Sequence, residues 1–123
     1  MRQAEDDLAA ARELQGSGRH NLACFMAEQA AVKALRAYLY GCGEEGMLGR
    51  GVIDLCNRAG GFDQGFLDLK RRISILDAYY LPTRYPNFLP SGIPAEVYGR
   101  DQARGAMALA DEALAFVRTR LER

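Results

Sequence analysis

The side chains best able to do chemistry cluster in Asp77-Ala78-Tyr79-Tyr80-Leu81-Pro82-Thr83-Arg84-Tyr85-Pro86-Asn87. Three tyrosines and one arginine share this stretch with two prolines. Proline fixes φ and disfavours helix in the residue before it. Arg84 and Tyr85 are therefore expected to be held at a helix exit, not spread along a mobile loop. A stiffly held guanidinium beside phenols suits a phosphate, a carboxylate or a base ring. The bland alternative is that Arg84 pairs with a carboxylate such as Asp77 and that Tyr85 caps the end of a bundle.

Other candidates lie upstream. Lys33 interrupts an apolar, Ala-rich segment, and Gln29 stands four residues before it, on the same face of a helix. Together they could line a groove and give Arg84 a second cation for phosphates. Equally, Lys33 could snorkel to water and Gln29 could satisfy a backbone group. Asp77, Tyr80 and Arg84 follow at three- and four-residue steps, although Pro82 is expected to break the last step. Asp77 reads more readily as an ion-pair partner than as a general base. The run Lys70-Arg71-Arg72 has no interleaved aromatic residue of the kind that single-strand platforms need, and it reads as a solvated face.

Several chemistries are excluded. The one histidine, His20, has no Cys or Asp at ligand spacing, so no metal is expected. There is no Gly-rich phosphate loop opening a helix and no nucleophile elbow. No cofactor is expected. Cys24, Cys42 and Cys56 form no close pair and read as free thiols in a reducing cytoplasm, with Cys24 and Cys56 buried. Sixteen basic and sixteen acidic residues cancel, so no global field draws the chain to nucleic acid or a membrane surface. No apolar run approaches the length of a membrane span.

The elements that must position these residues are helical. A chain of 123 residues that is 49% hydrophobic favours one domain with a real core. Leu8, Ala11 and Leu14 mark a first helix over about Gln3–Gln15, ended by Gly16-Ser17-Gly18. Leu22, Phe25, Val32, Leu35 and Leu39 recur at helical steps from about His20 to Tyr40, with alanine filling much of the rest. Small side chains let neighbouring helices approach closely, so this should be a long central helix buried on more than one side. A short helix is expected around Val52–Cys56 and another through Phe66, Leu69, Ile73, Leu76 and Tyr80. Ala103, Met107, Ala110, Leu114, Val117 and Leu121 predict a last helix over about Arg100–Arg120 with a narrow apolar seam. No strand pattern is evident. Short breaks between helices imply antiparallel neighbours, hence an all-α, up-and-down bundle of four to five antiparallel helices.

Two motifs then suggest a family. Ala23 to Ala37, reading A-C-F-M-A-E-Q-A-A-V-K-A-L-R-A, resembles the second helix of HEPN domains (higher eukaryotes and prokaryotes nucleotide-binding), usually close to A-x-F-x-A-Q-Q-A-A-E-K-A-L-K-A. The Tyr80 to Pro86 segment resembles that family's R-Y-P-D element, and Pro94, Tyr98 and the Ala-rich closing helix also fit. The similarity spans residues 1–123, read as a single HEPN-like domain. It implies a helical bundle that usually forms homodimers, often beside a minimal nucleotidyltransferase. In other branches it implies nucleotide binding or metal-independent RNA cleavage.

The chain departs from the ribonuclease branch, which carries an Arg followed within a few residues by a His. Arg84 is followed by Tyr85, Pro86, Asn87, Phe88 and Leu89. RNA cleavage without metal needs a group to take the 2′-hydroxyl proton, and none of these titrates near neutrality. Arg50 stands where relatives have a His, Val32 replaces the usual Glu, and Glu28 replaces a Gln. The expectation is a non-catalytic, cytoplasmic HEPN protein that binds nucleotide (ATP or GTP) or RNA, or partners a minimal nucleotidyltransferase in a toxin–antitoxin-like pair. Arg84, Tyr85, Lys33, Tyr80, Asp77 and Gln29 would form the ligand site. Two alternatives stand: a ribonuclease toxin with an atypical site, and a pure homodimeric interaction module.

Overall fold

The computed structural model describes residues 1–46, 48–79 and 99–122. Arg84, Tyr85 and Tyr80 lie outside the described residues. Five α-helices are described: α1 (Arg2–Gly16), α2 (His20–Gly41), α3 (Val52–Ala59), α4 (Gly65–Ile73) and α5 (Arg100–Leu121). No strand occurs among the described residues. The expected boundaries hold within a residue or two, except that the third helix runs on to Ala59 and the fourth changes winding. There the α-helical winding stops at Ile73 and a 3-10 stretch carries on over Ser74–Tyr79. A 3-10 helix stacks residues three apart in one column. Its tighter winding keeps Ile73 and Leu76 in the core while Ile75 faces outward.

The axis of the bundle is α2. Ala23, Ala27, Ala30, Ala31 and Ala34 are fully buried, as are Cys24, Leu35 and Leu39. Buried positions occur in every turn from Ala23 to Leu39 and on more than one side, so α2 has no single apolar stripe. It is packed by α1 on one side, α5 on another and α3 on a third. The expected long stripe of large residues is only partly inward, since Leu22 is exposed. On α5 the buried face is broader than a narrow seam: Ala106 and Ala113 join the expected residues, while Leu121 emerges to solvent.

Helix directions follow from named contacts. The short break after Gly16 returns α2 antiparallel to α1, as expected. Glu5 near the start of α1 pairs with Arg118 near the end of α5 at 3.2 Å, and Arg12 pairs with Asp111 at 2.6 Å. Such exposed pairs are worth about 0–1 kcal/mol, so they report direction more than they stabilise. The ends of α2 and α5 also meet, because a Cβ on Gly41 would lie 3.4 Å from Leu121 Cδ2. Thus α1 is antiparallel to both of its long neighbours, and α2 and α5 run the same way. The rule that neighbours are antiparallel holds where the break is short. Between α2 and α5 lie two helices and many residues, enough chain to bring α5 back in the same sense.

Phe66 on α4 closes the end of the bundle. Its ring lies 4.4 Å from that of Tyr38 and 4.9 Å, edge-on, from that of Phe116. The Arg120 guanidinium covers Phe116 at 3.3 Å and reaches Asp63 at 3.0 Å. Arg72 pairs with Glu112, fixing α4 antiparallel to α5.

Candidate functional site

Lys33, Arg36, Ala37 and Tyr40 fall at i, i+3, i+4 and i+7 on α2, which puts them on one face. The chain enters α1 opposite that face. Met1 and Gln3 complete an open cavity of about 370 Å³ with these four residues. Beneath it, Asp7 of α1 is buried. Its two carboxylate oxygens accept from Gln3 Nε2 at 2.9 Å and from Lys33 Nζ at 2.5 Å. Asp7 thus holds Lys33 at the rim of the cavity. Arg36 donates from Nη2 to the Gly49 carbonyl at 3.0 Å, which ties the cavity to the loop before α3. Tyr40 is half exposed.

The other expected ligand residues are placed elsewhere. Gln29 does not line the cavity; its Nε2 donates to Glu28 Oε1 at 2.6 Å. Asp77 forms no ion pair among the described residues. Its Oδ1 accepts from the Val52 amide at 2.6 Å and its Oδ2 from the Ile53 amide at 3.0 Å. Those amides open α3 and have no carbonyl within the helix to bond to. Asp77 therefore caps α3 from outside, with its negative charge at the favourable end of the helix dipole. The approach is close: a Cβ on Gly51 would lie 2.7 Å from Asp77 Oδ1 and would displace the carboxylate from its place at the helix start. Asp77→Ala is expected to cost about 1–2 kcal/mol, the range for losing a helix cap. Thermal unfolding followed by circular dichroism checks this, and Asp77→Asn should retain part of the stability.

Three residues in this region were not legible as a group. Arg36 and Tyr40 follow Lys33 at helical spacing, and extending the face by two turns would have found them. Glu28 gave only the signal of a carboxylate inside an alanine run. It is 1% exposed. Burial pushes its carboxyl up to about 7, against the Gln29 hydrogen bond; Asp77 pushes the same way, and Arg36 and Lys33 oppose it. Burial also pushes the Cys24 and Cys56 thiols up to about 12, so neither offers a thiolate near neutrality. No three His, Cys, Asp or Glu residues are grouped to hold a metal among the described residues. Nor is any described helix long and apolar enough to cross a membrane.

An all-α bundle built on an alanine-lined central helix, with an open cavity rimmed by two cations at the meeting of its first two helices, defines the structural class. The comparisons define the family. The HEPN domain family matches residues 1–120, and the chain belongs to it. The structure resembles TT1696 from Thermus thermophilus with a TM-score of 0.84 and 36% identity, over 96% of this chain and 92% of that one. It also resembles ST0689, an archaeal HEPN homologue, with a TM-score of 0.76 and 31% identity, over 97% and 92% of the two chains. A HEPN domain protein from Thermotoga maritima, TM0613, gives a TM-score of 0.76 at 29% identity, over 98% and 94%. No curated protein matches the chain.

Proposed function

We propose that this HEPN domain is non-catalytic, binds a nucleotide as a homodimer, and works beside a minimal nucleotidyltransferase in a toxin–antitoxin-like pair. The observation that carries the binding part is the grouping of Lys33, Arg36 and Tyr40 around one cavity, two cations and a phenol on a rigid helix. The cations suit phosphate and the phenol suits a base ring. Arg84 and Tyr85, in the R-Y-P-type element, would add a further cation and a second ring. The non-catalytic part rests on the histidine count. His20 is the single imidazole, at the start of α2, thirteen residues before Lys33. At about 1.5 Å rise per residue that is roughly 20 Å along the helix, too far to take a proton from a ligand held at Lys33.

Titration calorimetry with ATP, GTP and a short RNA tests the reading on wild type and Arg84→Ala. Wild type is expected to bind at least one of the three, and Arg84→Ala to bind it at least tenfold more weakly. Equal binding by both proteins removes Arg84 from the site. Cleavage of the RNA in the presence of a chelator would overturn the non-catalytic assignment and restore the ribonuclease alternative.

A second reading, the homodimeric interaction module, draws on Ile53, Phe62, Leu67 and Ile75. These large apolar side chains are exposed on α3, on α4 and on the stretches that follow them. Scattered exposed apolar residues are ordinary on protein surfaces, so they favour this reading less than the cavity favours the first.

A further inference from the structure

The cavity at the start of α1 carries a sharper assignment than nucleotide binding in general. We infer that it is a phosphomonoester subsite: Lys33 and Arg36 hold one terminal phosphate, and Tyr40 lies against the base of the same nucleotide. This rests on the nucleotide-binding reading and names the ligand class of the same site.

Charge decides between ligands. Lys33 and Arg36 supply two positive charges, and Asp7, bonded to Lys33, removes one. Counted over the side chains that line the cavity and the Asp7 beneath it, the cluster is thus singly positive before a ligand arrives. A phosphomonoester carries about −1.5 to −2 near neutral pH. A triphosphate carries roughly twice that, and among the cavity side chains no further cation neutralises it. Donor geometry agrees. An ammonium has three N–H donors and a guanidinium five. Asp7 takes one from Lys33 and the Gly49 carbonyl takes one from Arg36. The others have no acceptor among the described residues. They belong to side chains one helical turn apart, a spacing at which two cations can share one phosphate.

Size agrees as well. At about 370 Å³ the cavity lies near the lower end of small-molecule sites, which run from about 300 to 1,000 Å³. It is a shallow depression largely open to solvent, and Tyr40 stands half exposed at the C-terminal end of the lining face. A free mononucleotide fits this description, and so does the 5′-phosphate end of an RNA strand. The two share the same chemistry.

Calorimetry separates the cases. The probes are AMP, adenosine, ATP, and a pentanucleotide RNA with and without a 5′-phosphate. Wild type is expected to bind AMP and the phosphorylated RNA, with adenosine and the 5′-hydroxyl RNA at least tenfold weaker and ATP no tighter than AMP. Tighter binding of the phosphorylated RNA than of AMP assigns the subsite to strand ends; the reverse order assigns it to free nucleotide. Arg36→Gln should weaken AMP at least tenfold. Tyr40→Ala alters an exposed position, so it keeps the test usable if Arg36→Gln unfolds. It should weaken AMP several-fold and leave inorganic phosphate unchanged. ATP bound much more tightly than AMP, or AMP binding unchanged in both variants, overturns the subsite and leaves the nucleotide reading standing. Loss of AMP binding in Arg36→Gln, with none in Arg84→Ala, upholds the subsite and removes Arg84 from the proposed function. Failure of every phosphorylated probe to bind wild type overturns both.

Discussion

Replacing Phe66 by alanine is expected to lower stability by about 3–5 kcal/mol, the range for truncating a fully buried aromatic ring. Phe66 is 0% exposed and stands between Tyr38 of α2 and Phe116 of α5. The loss has two parts. The transfer of the ring out of water is forfeited, and a void opens that three separate helices would have to close. Phe116 also supports Arg120, which in turn holds Asp63 beside the start of α4. A domain of this size is commonly stable by only about 5–15 kcal/mol, so the variant approaches the unfolding threshold. Urea denaturation of wild type, Phe66→Ala and Phe66→Leu measures the effect. A cost below about 1 kcal/mol for the alanine variant would show that Phe66 does not seal the bundle.

The second large effect is dependent on pH. Glu28 has a folded-state pKa of about 7, and a free glutamate in the unfolded chain titrates near 4.3. Between these values the folded chain keeps a proton that the unfolded chain has released. The folded state therefore binds more protons there, and stability falls as pH rises through that window. Above it, both states are ionised and the full cost of the buried charge remains. At about 1.4 kcal/mol per pKa unit, the penalty approaches 4 kcal/mol. Glu28→Gln retains the size and the carbonyl that can accept from Gln29, and it carries no charge. The variant is expected to match wild type near pH 4 and to exceed it by up to about 4 kcal/mol at pH 8. Chemical denaturation at one-unit pH intervals reads both curves. Parallel curves from pH 4 to pH 8 would mean that Glu28 ionises without penalty.

The helices were legible because their signals are local. Alanine and leucine at helical steps, with glycine at the ends, placed α1, α2 and α5 within a residue or two of their observed limits. Winding and direction were less legible. The shift to 3-10 geometry at Ser74 is set together with the contact between Asp77 and the amides of Val52 and Ile53, more than twenty residues away in the chain. No spacing rule within one segment contains such a contact. The same holds for the parallel course of α2 and α5, since a rule about short breaks says nothing of distant segments.

The candidate site was legible in part for a related reason. Lys33 drew attention because it breaks an apolar pattern, yet its partner Asp7 reads as one acid among several in the first turns of α1. Gln29 shares a face with Lys33, but its amide turns aside to Glu28, the adjacent residue. Face arithmetic fixes where a side chain begins, and its tip is then settled by the strongest available partner. Glu28, deep in the core with a free acceptor, outcompeted the groove.

The alanines of α2 have a further consequence. A helix flanked so tightly by α1 and α5 cannot roll about its own axis, because any rotation would drive larger side chains into neighbouring backbones. The azimuths of Lys33, Arg36 and Tyr40 are thereby set by methyl groups on the opposite sides of the cylinder. Adding bulk at Ala30 or Ala34 would change the gauge of the bundle, and it would also turn the polar face away from its rim without altering one residue of that face.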